Sequence, residues 1–142
     1  MKSTTVCKVF VVGFLTLGVW GCGGGSDLPP LGQVSGIVTL DGQPLEHAQL
    51  IFQPENGRPS VGETDSEGNY ELVFTGTASG ALLGPHKVVI TSAVDAFSDE
   101  TGEGKDRKAR PEVLPAKYHS KTTLTAVVEP GSNQIDFPLT SK

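Results

Sequence analysis

The sequence predicts an all-β protein, a seven-stranded antiparallel β-sandwich that follows an N-terminal signal helix. Three observations support this fold class. Short segments alternate apolar with polar residues, as strands buried on one face do. Glycine (18 residues) and proline (10 residues) separate these segments and supply turns. Beyond the N-terminal apolar segment, no stretch sustains the period of about 3.6 residues that marks an amphipathic helix.

Seven segments carry the strand pattern, and in chain order they are residues 34–40, 48–53, 61–64, 70–74, 86–91, 123–128 and 134–139. The Asp-Gly pair at 41–42 predicts a hairpin turn, because both positions tolerate a positive φ. Pro138 predicts an edge strand or a strand end, because proline cannot donate to a ladder. The alternation places Phe52, Leu72 and Phe137 in the core.

The N-terminus predicts export. Lys2 and Lys8 accompany an uncharged run of mostly apolar residues, 9–20. A helix needs about 20 apolar residues to cross a bilayer core. This run is shorter and fits the hydrophobic region of a secretory signal peptide, which we place at residues 1–21. A buried core helix is the alternative for this segment.

The end of the signal predicts a lipid anchor. Val19-Trp20-Gly21-Cys22 resembles the lipobox of bacterial lipoproteins, although Trp20 stands where that family prefers a small residue. The resemblance implies that the Cys22 thiol is lipidated and becomes the first residue of the mature protein. Cys7 lies inside the signal, so Cys22 would be the only cysteine left after cleavage. Plain secretory cleavage near Gly21 is the alternative.

The mature chain divides into a tether and one domain. Residues 22–33 are rich in Gly and Pro and predict a flexible connection, and residues 34–140 hold the strand pattern. Loss of the two signal lysines leaves 9 basic and 16 acidic residues, so the net charge changes from −5 to −7. This balance excludes nucleic acid as a partner, because phosphate binding needs clustered Lys and Arg.

Five stretches carry motifs of one family, and they are residues 36–45, 48–54, 64–70, 84–90 and 115–118. They resemble the carboxypeptidase regulatory-like (transthyretin-like) domain. The last stretch, together with residues 124–125, 131–133 and Phe137, is similar to its short lipoprotein version in planctomycete-type bacteria. His86 stands where that family more often has an aromatic residue. The resemblance covers about residues 34 to 140 and implies a Greek-key, transthyretin-like sandwich. It is specific for fold and weak for function, because its motifs are turn and core residues.

The residues do not predict catalysis, a cofactor or a metal site. The histidines at 47, 86 and 119 lack metal-ligand spacing, although a sandwich could still bring them together. No nucleophile elbow, zinc-protease motif or phosphate-binding loop is present. The oxygen-rich loop 65–69 predicts a hairpin turn, with a calcium loop as the alternative.

Residues 93–117 form a long mixed-charge segment, and this composition predicts a solvated, disordered loop, with a functional loop as the alternative. Together these features predict a noncatalytic lipoprotein of the cell envelope, anchored through Cys22 on the periplasmic or outer face of the membrane, that serves as a binding or structural module for protein or glycan. The alternative is an accessory subunit that positions an envelope enzyme.

Overall fold

The computed structural model describes residues 27–96 and 108–142. The predicted signal helix, the lipidation site Cys22 and the centre of the long charged segment lie outside these residues. Within the described ranges, no helix has the length and apolar character needed to cross a membrane.

The described chain is all-β. Its twelve strands are β1 (Leu31–Leu40), β2 (Gln43–Pro44), β3 (Gln49–Pro54), β4 (Ser60–Glu63), β5 (Asn69–Glu71), β6 (Val73–Thr75), β7 (Ala78–Ser79), β8 (Ala81–Leu82), β9 (Gly84–Thr91), β10 (Thr125–Val128), β11 (Gly131–Gln134) and β12 (Phe137–Leu139). A single turn of 3₁₀-helix spans Ala116–Tyr118. The predicted fold class is confirmed, but some predicted strands divide: the segment at 70–74 becomes β5 and β6, interrupted at Leu72.

Two sheets form the sandwich. The first has the strand order β10-β9-β3-β4-β6-β7, and all its pairings are antiparallel. The second is built around β1, which pairs antiparallel with β2, β5 and β8. On its other side β1 pairs with β11 and β12, and both pairings are parallel. The antiparallel sandwich predicted from the sequence therefore also contains two parallel pairings.

The parallel pairing follows from the chain path after β10. The chain leaves the first sheet at Glu129 and turns at Gly131, whose φ is 93°, to begin β11 alongside β1. The Asn133 amide secures this crossing: its Nδ2 donates to the carbonyls of Gln33 and Glu129, and its Oδ1 accepts the Glu129 N–H. The crossing brings the chain to the side of β1 opposite β2, β5 and β8, where β11 and β12 run in the same direction as β1.

β1 begins earlier than the sequence predicted. Residues 31–33 were assigned to the tether, but they form the first part of this strand. Gly32 and Gly36 are buried at inward positions, and a Cβ on Gly36 would lie 1.9 Å from the Ile135 carbonyl oxygen. The pattern at 31–33 was missed because glycine at an inward position carries no apolar signal.

The core lies between the two sheets. Phe52, Leu72 and Phe137 are buried as predicted. The rings of Phe52 and Phe137 meet edge to face at 6.1 Å between centroids, and Tyr70 packs against both. The Tyr70 hydroxyl donates to the Ile135 carbonyl at 2.6 Å, and burial raises the pKa of Tyr70. Aromatic packing of this kind joins the sheets over a large apolar area.

The prediction of disorder is wrong for the described ends of the long charged segment. Val94 and Arg110 exchange backbone hydrogen bonds of 2.9 and 2.8 Å. The Arg110 guanidinium donates to the carbonyls of Ser92, Glu46 and His47, each at 3.0 Å. Arg110, which the sequence predicted to be solvated, therefore donates hydrogen bonds to three backbone carbonyls.

Glu112 anchors the same segment against the end of β9. Its carboxylate accepts the backbone N–H groups of Ser92 and Leu114 and the hydroxyl groups of Thr91 and Ser92. Leu114 and Tyr118 are buried beyond it. Mixed charge indicated a loop without contacts, but here the charged groups satisfy backbone and hydroxyl groups that are distant in sequence.

Candidate functional site

The three histidines lie in different surroundings. His47 pairs with Glu63, and the atoms Nδ1 and Oε1 lie 3.0 Å apart. His86 is in the core, and His119 bonds the Leu114 carbonyl through Nε2. Across residues 27–96 and 108–142, no group of three or more His, Cys, Asp or Glu side chains could hold a metal ion. The structure therefore does not bring the histidines together as a ligand set.

The loop 65–69 has the geometry of a turn. The Asp65 Oδ1 accepts the backbone N–H groups of Glu67 and Asn69, both at 2.9 Å. These bonds, above all the one from Asn69, lower the pKa of Asp65. Gly68 has a φ of 78°, and a Cβ there would lie 2.5 Å from the Val38 carbonyl oxygen. The carboxylate is used by its own backbone, which favours the predicted hairpin turn over the calcium alternative.

A groove crosses the outer face of the first sheet where β3 ends and β9 begins. Its volume is about 490 Å³, and we call it the β3–β9–β10 groove; its lining residues are Gln53, Pro54, Glu55, Pro85, His86, Lys87 and Thr125. Strand register places Gln53, Lys87 and Thr125 side by side in one row. A second hollow of about 340 Å³ shares Pro54, Glu55 and Pro85 and reaches Pro30, next to the start of β1.

The groove combines stiff apolar walls with a few polar groups. Pro54 and Pro85 fix the backbone and remove two N–H donors from its wall. Lys87, Glu55 and Gln53 supply an ammonium, a carboxylate and an amide, all on exposed side chains. A concave surface with apolar walls and a few polar groups suits binding. Among its lining residues, no nucleophile is paired with a base.

His86 borders the groove through its strand position, but its ring faces the core. The residue is 3% exposed, and its ring lies 5.9 Å from that of Phe52. Nδ1 lies 3.0 Å from the Gly84 carbonyl, which only accepts, so Nδ1 carries the proton. Nε2 is buried without a hydrogen-bond partner in the described part of the chain. This histidine fills an aromatic core position rather than a binding site.

Sequence reasoning did not find the groove. Its polar residues are exposed positions on separate strands, and they come together only through the pairing of β3, β9 and β10. The sequence signal that was available is the pair of prolines, Pro54 and Pro85, which end one strand and begin another. Cys22, the predicted lipidation site, lies outside the described residues.

Comparison with known proteins adds little. No protein-family profile matches the chain, and no curated protein matches it. Among solved structures, the chain is similar to a DUF3823 family protein from Parabacteroides merdae. The two share 15% sequence identity with a TM-score of 0.39, over 78% of this chain and 46% of that one. The chain thus spans less than half of that protein's length. The class of protein that fold and site define is an all-β sandwich domain with an open surface groove.

Proposed function

We propose that this protein is a noncatalytic lipoprotein of the bacterial cell envelope, anchored through a lipid on Cys22, that binds an envelope protein or glycan in the β3–β9–β10 groove. The observation that carries the binding role is the groove itself, a hollow of about 490 Å³ with two proline walls, one carboxylate and one ammonium group. The anchor is supported by the lipobox-like residues Val19 to Cys22.

The position of the groove fits a tethered domain. Its neighbouring hollow reaches Pro30, immediately before β1, so the groove opens on the side where the chain enters the domain. A lipid on Cys22 would tie this side of the domain to the membrane through the eight residues 23–30. The natural occupant is then a molecule at or near the membrane surface, such as an extended segment of a membrane-associated protein or a surface glycan.

We also propose that the domain is of the carboxypeptidase regulatory-like type. Its turn motifs support this assignment, because they adopt the conformations that their residues favour. Asp41 and Gly42 have φ values of 50° and 81° at the turn between β1 and β2, and Asp65 closes the turn before β5. This type of domain implies binding or positioning and no catalytic residues of its own.

A pull-down tests the binding role. The full chain, solubilised in detergent, would be incubated with envelope extract as wild type and as Lys87→Glu, which reverses the charge in the groove. Lys108→Glu is the matched control, because Lys108 is also exposed but lies at the hollow beside His47 and Arg110. We expect Lys87→Glu to lose the bound molecule and Lys108→Glu to retain it.

Two other outcomes separate the alternatives. An enzyme recovered in stoichiometric amount would favour the accessory-subunit role. Equal recovery by both variants and the wild type would show that the groove is not the binding surface. A thermal melt of each variant checks that the fold is intact, since an exposed charge change alters stability by only about 0.5 kcal/mol.

A further inference from the structure

β10 stands at the edge of the first sheet. Within the described residues it pairs only with β9, and the register sets Thr125 opposite Lys87 and Val127 opposite Pro85. Thr125 and Val127 are exposed on the outer face, and Val127, at 62%, is the most exposed large apolar side chain in the described chain.

The hydrogen-bond pattern shows which backbone groups of β10 face outward. The Val88 N–H donates to the Leu124 carbonyl at 2.9 Å. Because bonding alternates along an antiparallel pair, Ala126 and Val128 also bond to β9. Residue 127 cannot receive a bond from Pro85, which has no N–H. The N–H and C=O groups of Thr125 and Val127 therefore point away from the sheet, and no described residue bonds them.

This edge lacks the features that keep strands from pairing with other chains. Edge strands are usually protected by proline, by charged side chains or by a bulge. β10 reads Thr-Ala-Val-Val, with none of these residues, and its register with β9 is regular over all four positions. The exposed side chains of β10, those of Thr125 and Val127, are β-branched, which suits them to strand pairing.

We infer that β10 pairs antiparallel with β10 of a second copy of this chain, about a two-fold axis at Ala126. Thr125 then lies opposite the partner's Val127, and the outward backbone groups of these two residues bond in both directions. The pairing is self-complementary, as a two-fold interface requires. It joins two six-stranded sheets into one continuous sheet.

Charge complementarity favours a second copy over other strands. Lys121 lies in the turn that precedes β10 by four residues, and Glu129 directly follows β10. The same axis brings the Glu129 end of β10 beside the end of the partner's β10 that follows Lys121. Lys121 and Glu129 are exposed, and no described residue bonds their side chains. Symmetry forms this opposite-charge pair twice, which offsets part of the repulsion between two negatively charged domains.

Charge reversal tests the pairing on the full chain in detergent, by sedimentation equilibrium. Lys121→Glu and Glu129→Lys each place like charges together at both ends of the pairing. With two exposed pairs changed, we expect each variant alone to associate about tenfold more weakly than the wild type. An equimolar mixture of the two restores both opposite-charge pairs, so we expect it to associate as strongly as the wild type.

A variant that removes a backbone N–H provides a second test of the pairing. Val127→Pro removes an outward N–H that β9 does not use, so we expect a folded chain that no longer associates. Val127→Thr keeps the N–H and the β-branched shape, and we expect it to associate like the wild type. Three results would each overturn the inference: a wild type that is monomeric at every concentration, a folded Val127→Pro that still associates, or a mixture no stronger than its components. None of these three association results depends on whether a ligand binds in the β3–β9–β10 groove.

Discussion

Replacing Glu112 with Gln would remove the charge that anchors the end of the long segment to β9. Partial burial acts to raise the pKa of Glu112, but hydrogen bonds from Ser92, Thr91 and the Leu114 amide outweigh it and lower the pKa from 4.5 to about 2. Because the folded pKa lies below the unfolded one, Glu112 stabilises the fold fully above about pH 4.5. This contribution is lost as the pH falls from there towards 2.

The size of the effect follows from the same pKa change. A pKa lowered from 4.5 to about 2 corresponds to at most about 3 kcal/mol. Glu112 is partly exposed, and solvent screening reduces the contribution, so we expect Glu112→Gln to cost about 1 to 2 kcal/mol at pH 7. The difference between wild type and variant should shrink as the pH falls below about 4.5.

Urea unfolding at a series of pH values between 7 and 2 measures this difference directly. Glu71→Gln is a suitable control, because Glu71 is an exposed glutamate whose side chain no described residue bonds. We expect the control to unfold like the wild type at every pH. If Glu112→Gln were as stable as the wild type at pH 7, or if the difference did not change with pH, the anchoring role of the Glu112 carboxylate would be refuted.

Three further predictions concern the lipid anchor, the core and the close approach of β1 to Ile135. Cys22→Ala should move the protein from the detergent phase to the aqueous phase on phase partitioning; equal partitioning would contradict the lipid anchor. Phe52→Ala should lower the free energy of unfolding by about 3 to 5 kcal/mol, because its ring contacts both Tyr70 and Phe137. Gly36→Ala should lower it by at least about 1 kcal/mol, since the new Cβ would overlap the Ile135 carbonyl; urea unfolding with an unchanged midpoint would refute either estimate.

Most of the core could be predicted from the sequence. Side chains alternate across a strand, so the pattern alone assigned Phe52, Leu72 and Phe137 to the inner faces. The Asp-Gly turn at 41–42 was also predictable, because few residues adopt positive φ at low cost. These features depend on near neighbours in the chain, and near neighbours are what a sequence pattern reports.

The roles of the charged residues could not be predicted in the same way. In the sequence, Arg110 and Glu112 belong to a mixed-charge run, which is usually solvated. Their partners are the carbonyls of residues 46, 47 and 92 and the amides of residues 92 and 114. The sequence position of a long charged side chain does not indicate which backbone group it will bond in the fold.

The sequence by itself determined the all-β class, the facing of the core residues and the turn that begins the second strand, because local alternation and backbone preferences specify them. Only the tertiary structure decided that β1 runs parallel to β11 and β12, that β10 is left at an open edge, and that Gln53, Lys87 and Thr125 share one groove. Alternation reports which face of a strand is buried, but it is the same for either strand direction and for any neighbour. Neighbour and direction are set by where the chain crosses between the sheets, and that crossing depends on contacts between residues far apart in sequence.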